Sequence, residues 1–243
     1  MTRARDVLDP RPIVRITEHP DRPRPGGWPY TIPAVTQLLD HGLELDSSTI
    51  LVGENGSGKS TILEAVAMAY GLNTEGGSTG ARFSTWTSES SLHWNLRLVR
   101  GGGAARWGYF VRAETMHSLF TYLQTHDEPT DFHRRSHGEA FWDLLDSRRL
   151  SDGGLLVLDE PEAGLSFTAQ LRLVALLHEL GDLPGAQLLV ATHSPILASV
   201  PNAQVIELDE EGFHHTTWGA LATVDHYRTY LDDPEAYLRH LLS

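Results

Sequence analysis

Thr49-Ile-Leu-Val-Gly-Glu-Asn-Gly-Ser-Gly-Lys-Ser-Thr-Ile-Leu63 joins an apolar, β-branched run to a glycine-rich turn and the start of a helical pattern. Within it, Gly53–Ser60 fits G-x-x-x-x-G-K-[ST]. Phosphate oxygens need several donors converging from one side, and the backbone N–H groups of a tight loop supply them. Glycines at 53, 56 and 58 allow the required dihedrals and a close approach to the ligand, with Glu54, Asn55, Ser57 and Thr61 completing the contact set. The helix predicted over Lys59–Tyr70 points its positive end at the phosphates. Lys59 then reaches the β- and γ-phosphates and Ser60 holds Mg²⁺. The plain alternative is a glycine-rich turn before a helix. The strand ahead and the helix behind favour nucleotide binding.

Working outward, the 243 residues suit one domain of ordinary size, 1–243, large enough to bury a core. Acidic side chains outnumber basic ones by 32 to 19, a formal charge of −13. That balance argues against a nonspecific nucleic-acid binder, whose surface must neutralise phosphates, and leaves a local basic patch open. With no cysteine, disulfide scaffolds, thiolate metal sites and cysteine nucleophiles are excluded. No apolar run approaches the roughly 18 residues that span a bilayer, and Met1–Pro12 lacks the apolar core of a secretory signal. A soluble, cytoplasmic protein without a transmembrane segment is expected. Lys59 is the only lysine; the other basic residues are all arginine.

Short apolar runs at Ile13–Glu18, Thr49–Val52, Leu155–Leu158 and Leu188–Val190 alternate with helical patterns, which predicts an α/β domain with a mostly parallel central sheet. Ala34–Leu39 reads as a turn or two of helix. The polar stretch Gly71–Gly80 reads as a mobile loop. Leu92, Trp94, Leu96 and Leu98 alternate with polar residues and, with Trp107–Arg112 beyond Gly101–Gly103, predict a β-hairpin. Helices are expected over Glu114–Thr125 and Glu139–Leu145, so that about 81–145 forms an antiparallel and helical subdomain. The helix after Leu158 is read with Phe167, Leu171, Val174, Leu177 and Leu180 on its inner face. Val205–Leu208 and Phe213–Thr217 suggest a final hairpin, with two small helices after it.

Leu155-Leu-Val-Leu-Asp-Glu160 ends an apolar strand in two carboxylates. Ligands of open α/β sheets bind at the carboxyl ends of strands, where Asp159 and Glu160 emerge. Asp159 suits Mg²⁺, directly or through water, and Glu160 suits polarisation of an attacking water. Neighbouring strand residues project to opposite faces, which lets adjacent acids take different roles. A solvated strand end is the ordinary reading of such a pair, and the phosphate loop is what lifts it above that. His193 follows the next strand, in Ala191-Thr-His-Ser-Pro195, where a lone histidine ordinarily reads as a surface or core residue.

Together with the phosphate loop, Asp159-Glu160-Pro161 resembles the ABC-type P-loop ATPases, and the whole ordering resembles the small stand-alone bacterial ATPases labelled AAA-family. The resemblance implies a P-loop NTPase fold with a short helical signature subdomain, ATP and Mg²⁺ as ligands, Glu160 as catalytic glutamate, His193 as switch histidine and Lys59 as catalytic lysine. Arg135-Ser-His-Gly-Glu139, opening 23 residues before Asp159 at its serine, is similar to the family's Leu-Ser-Gly-Gly-Gln signature through Ser136, Gly138 and Glu139. In the family that loop reaches the nucleotide of the other protomer, which implies a homodimer on ATP binding. A capping box from Ser136 to Glu139 reads equally from these residues and is compatible with it. An aromatic ahead of the phosphate loop stacks on adenine in such proteins, with Tyr30 or Trp28 the candidates here.

Two departures stand out. No glutamine occurs between Gln37 and Gln124, where transporter ATPases carry one, and Gly164-Leu-Ser166 replaces the Ala-Leu-Asp of many transporter dimer loops. The expected function is therefore ATP hydrolysis to ADP and phosphate through an ATP-sandwiched dimer coupled to an unidentified protein partner. Alternatives are a transporter's nucleotide-binding subunit, a DNA-repair or defence-associated ATPase, and a nucleotide-dependent binding module.

Overall fold

The structure, a computed structural model, describes residues 8–72, 77–78, 90–112 and 153–239. Its centre is a seven-stranded sheet with five parallel strands in the order β9 (Gln204–Leu208), β3 (Ser48–Gly53), β8 (Ala186–Thr192), β7 (Gly154–Asp159) and β6 (Gly108–Arg112). Antiparallel strands finish both edges, β10 (Phe213–Thr216) on β9 and β4 (Gly77–Ser78) on β6. A separate antiparallel sheet joins β2 (Leu43–Glu44), β1 (Arg15–Glu18) and β5 (Leu96–Val99). The expected α/β P-loop NTPase fold with a largely parallel sheet and an antiparallel subdomain is what the chain adopts.

The period of two along each central strand divides the core. Leu51, Leu155, Val157, Leu189 and Ala191 face one side and pack with α1 (Pro33–His41), α2 (Lys59–Tyr70) and the small sheet. Ile50, Val52, Leu156, Leu158, Leu188 and Val190 face the other, against α4 (Phe167–Gly181). Strands covered on both faces must be apolar throughout, as these are. A single helical turn, α3 (Leu92–Asn95), precedes β5, and α5 (Ala222–Asp232) and α6 (Pro234–Leu238) follow the last hairpin as expected. Among the described residues no helix is long and apolar enough to cross a membrane.

Three expectations are corrected. Leu92–Asn95 is helical, and the strands on either side of Gly101–Gly103 do not form a hairpin; β5 pairs with β1, while β6 inserts beside β7. The glycine turn instead bonds to the N-terminal segment, Gly101 N–H to the Arg11 carbonyl at 3.1 Å and Gly103 N–H to that of Asp9 at 3.1 Å, which parts the two strands into different sheets. On α4 the buried stripe is Ala169, Leu173, Leu176, Leu177 and Leu180, whereas Phe167 and Leu171 are exposed. A helix this rich in leucine offers two overlapping stripes, and the position of the sheet selects one. Finally, Gly77–Ser78, read as loop, pairs with Tyr109–Phe110. The helices expected at 114–125 and 139–145, and most of the 81–145 subdomain, lie outside the described residues.

Candidate functional site

Parallel register places three strand ends at one level. Val52 pairs with Thr192, and Asp159 pairs with Ala191, so Gly53, His193 and Glu160 leave the sheet side by side. The strand between β3 and β7 is β8. The glycine loop and the acidic strand end, about a hundred residues apart in sequence, therefore flank His193.

Out of β3 the chain turns through Gly53–Gly58 into α2. Gly58 sits at φ +102°, a conformation that side-chain-bearing residues rarely adopt, and it lets the helix begin directly at Lys59. Lys59 is only 3% exposed, and its Nζ donates to the Glu54 carbonyl at 2.8 Å across the loop. Burial pushes its pKa below the usual lysine range, and the carboxylates of Glu160, Asp159, Glu162 and Glu54 oppose that shift. The Ser57 hydroxyl oxygen is buried with no partner among the described residues. A curled loop with a buried cation and an orphaned hydroxyl fits an anionic, acceptor-rich ligand.

Ser60 Oγ donates to Asp159 Oδ1 at 3.0 Å, joining the first turn of α2 to the end of β7. These are hard oxygen donors of the kind Mg²⁺ takes one or two at a time, with phosphate and water supplying the rest. Among the described residues no group of three or more His, Asp or Glu side chains forms a fuller protein cage. The donor set thus fits Mg²⁺ held together with a nucleotide.

Glu160 has φ +47°, left-handed for a non-glycine residue, with its N–H held by the Ala191 carbonyl at 2.9 Å. This conformation turns its side chain to His193, whose Nε2 lies 2.8 Å from Glu160 Oε1. Both side chains keep partial access to solvent, at 39% and 31% exposure.

Tyr30 is corrected as an adenine-stacking candidate. It is 6% exposed, and its hydroxyl donates to Asn95 Oδ1 at 2.8 Å and lies 3.0 Å from Ser91 Oγ. The ring packs in the core and ties the turn before α1 to α3, leaving no face for a base. Trp28, by contrast, is 61% exposed. It lies four residues ahead of Ile32, whose side chain would meet a Cβ placed on Gly58. Ser136, Gly138 and Glu139 lie outside the described residues.

Sequence reading missed Glu162. Its Oε1 accepts from Thr192 Oγ1 at 2.6 Å, His193 N–H at 2.7 Å and Ser194 N–H at 3.2 Å. The only signal was its place two residues beyond the catalytic candidate, and a carboxylate there reads as solvated until the neighbouring loop is brought to it.

Known proteins similar to this chain are ATPase domains and ATP-binding subunits. A family model described as "AAA domain" matches residues 41–104. One described as "AAA domain, putative AbiEii toxin, Type IV TA system" matches residues 140–199. The chain is 32% identical over 180 residues to the zinc import ATP-binding protein ZnuC of Alkalilimnicola ehrlichii, covering 71% of this chain and 67% of that protein. To the protein of the same name from Vibrio cholerae it is 30% identical over 169 residues, covering 69% of this chain and 63% of the relative's length. Among solved structures, cbiO1 from Clostridium perfringens, part of the ABC transporter complex cbiONQ, shares the fold. Its TM-score is 0.50 at 15% identity, over 96% of this chain and 99% of that one.

Proposed function

Since this chain belongs to the ABC-type P-loop ATPases, we propose that it binds ATP with Mg²⁺, hydrolyses it to ADP and phosphate between two copies of itself, and drives a partner assembly of the transporter kind. The observation that carries the reading is the alignment of three strand ends. It brings Ser60 to Asp159 at 3.0 Å and His193 to Glu160 at 2.8 Å on the side where the glycine loop opens.

In this reading the amides of Gly53–Thr61 and the Lys59 ammonium hold the triphosphate, and Trp28 supplies the exposed aromatic for adenine. Ser60 and Asp159 hold Mg²⁺, which when bound offsets the charge of the β- and γ-oxygens. Glu160 accepts a hydrogen bond from the attacking water, and His193 holds the Glu160 carboxylate in place and donates toward the γ-phosphate. Ser136, Gly138 and Glu139 of a second copy complete the site. Phosphoryl transfer depends mainly on positioning and charge stabilisation, and this set provides both.

The relatives move a transporter-type partner ahead of the other partners left open by the sequence, despite the missing mid-chain glutamine. The corresponding location is the cytoplasmic face of a membrane. A DNA-linked role has less support: the acidic balance disfavours it, and only about 75 residues separate Ser60 from Ser136, too few for long coiled coils. The toxin–antitoxin description of the model matching 140–199 favours a second reading, an ATPase that switches a separate effector.

The Glu160→Gln protein tests the proposal. With ATP and Mg²⁺ it should form a dimer by light scattering and lose turnover, and Lys59→Ala should abolish tight nucleotide binding. A Glu160→Gln protein that stays monomeric in ATP sinks the sandwich. Affinity capture with the locked dimer separates the readings, since a membrane permease supports transport and a soluble effector supports the switch.

A further inference from the structure

Glu162 stands outside the machinery described above, yet its carboxylate makes three of the hydrogen bonds that shape the loop carrying His193. One oxygen, Oε1, collects the Thr192 hydroxyl and the backbone N–H groups of His193 and Ser194. Its other oxygen is buried with no partner among the described residues. All three donors lie on the three residues that end β8 and start the switch loop. The carboxylate itself lies in the loop that starts with Glu160, which ties the two loops together across about thirty residues of sequence.

Further contacts hold the same loop. Ser194 N–H also reaches Thr192 Oγ1 at 2.9 Å, and Ser194 Oγ donates to Gln170 Oε1 at 2.6 Å on the first turn of α4. None of these hydrogen bonds reaches the glycine loop, where Lys59 feels Glu162 only through its charge. What they fix is the backbone under the imidazole whose Nε2 meets Glu160.

We propose that Glu162 is a positioning residue for hydrolysis: it holds the backbone at 192–194 so that His193 stays against Glu160. The inference rests on the hydrolytic reading above. A charged acceptor bonded to two adjacent backbone N–H groups is stronger than a neutral one and fixes their direction, which suits an imidazole that must hold its place through the cycle. A loop staple serving stability alone would use the same bonds, and the two roles differ in what they move.

The experiment compares Glu162→Ala, Glu162→Gln and Glu160→Gln with the unaltered full chain. It measures ATP turnover, affinity for a non-hydrolysable ATP analogue, melting temperature and hydrogen exchange of the His193 amide without nucleotide. With Glu162→Ala, kcat should fall on the order of 10- to 100-fold, as for a catalytic group displaced by a fraction of an ångström to 1 Å. KM and analogue affinity should change much less than kcat, because Glu162 makes no hydrogen bond to the glycine loop and reaches Lys59 only through its charge. His193 amide exchange should accelerate. Glu162→Gln keeps an oxygen for all three donors but puts an NH₂ where the other oxygen has no partner. It should recover most of kcat and of the amide protection without recovering melting temperature.

Loss of kcat in strict proportion to melting temperature in both variants, or unchanged kcat in Glu162→Ala, overturns the proposal. Should Glu162→Ala fail to fold, Thr192→Val removes one of the three donors and is expected to lower kcat with KM unchanged; unchanged kcat there overturns it too. The hydrolytic reading fails separately, if the Glu160→Gln protein turns over ATP as fast as the unaltered chain. The amide-exchange comparison still decides whether Glu162 holds the loop.

Discussion

Replacing Gly53 by alanine tests how the phosphate loop is seated on the sheet. A Cβ built on Gly53 would lie 3.0 Å from Ser57 Oγ and 3.2 Å from the Leu208 carbonyl carbon, and closer still to the Leu208 carbonyl oxygen. The hydroxyl can rotate away, but the carbonyl is backbone of β9, paired with Gly53 at the end of the β3–β9 ladder. To reach an ordinary carbon–oxygen separation of about 3.3–3.6 Å, β3 must retreat by roughly 1 Å. Overpacking of this kind costs about 1–3 kcal/mol, and losing the terminal ladder bond adds about 0.5–1.5 kcal/mol. At about 2–4 °C per kcal/mol for a chain of this size, melting should drop by roughly 5–15 °C. The same shift carries the first residue of the loop off its place, so turnover should fall on the order of 100-fold.

Gly56→Ala is the comparison. Gly56 has φ +84°, and a Cβ there meets nothing within 4 Å. Its cost in the nucleotide-free protein is conformational only, about 1–2 kcal/mol. Thermal melting of both variants without nucleotide, followed by titration with ATP, checks the argument. Equal melting losses in the two variants, or a Gly53→Ala protein that melts within about 1 °C of the unaltered chain and binds ATP normally, refutes the steric account.

Other outcomes follow from the same geometry. Lys59→Arg should lose nucleotide affinity on the order of 100-fold, nearly as badly as alanine, because a planar guanidinium overfills a site that holds an ammonium at 3% exposure against the Glu54 carbonyl; isothermal titration reads it. Burial lowers the Lys59 pKa, so as pH rises through that lowered value ATP affinity should fall, earlier than for an exposed lysine. Fold stability should rise over the same interval, because the buried charge it removes was unfavourable, and the two opposed slopes can be measured on one set of samples. Tyr30→Phe should cost about 1–3 kcal/mol in chemical denaturation, by stranding a buried Asn95 acceptor, with ATP affinity unchanged, whereas Trp28→Ala should weaken ATP binding and leave stability alone. The Arg11 guanidinium holds the Asp9 carboxyl below its usual range, so this partly exposed pair contributes above that range and is lost as pH falls through the lowered value. Asp9→Asn should flatten the acid limb of the stability curve by no more than about 1 kcal/mol.

Much of the site was legible before any coordinates because its chemistry is local. The loop Gly53–Ser60, the strand ending at Asp159-Glu160 and the strand ending before His193 are each continuous in sequence, and both strands are unbroken apolar runs with a polar terminus. The helix boundaries Lys59 and Tyr70 were read correctly, since glycines at 58 and 71 stop the pattern on both sides. The Leu92–Arg112 hairpin was misread for the converse reason. Alternation says that a segment has an inner and an outer face, and nothing about which strand it pairs with.

By itself, then, the sequence determined the α/β fold, the phosphate loop and the side chains that gather at the strand ends, because backbone dihedrals, side-chain period and charge act over a few residues. It left undecided which aromatic stays exposed, which stripe of α4 faces the sheet and what holds the switch loop. Those turned on long-range neighbours: Asn95 drew Tyr30 inward and left Trp28 outside. The sheet chose Leu173 over Leu171. Glu162 acquired its role only when parallel pairing of β7 and β8 carried three donors to its carboxylate. A hydrogen bond depends on separation in space, and only the packed sheet makes residues thirty apart in sequence neighbours.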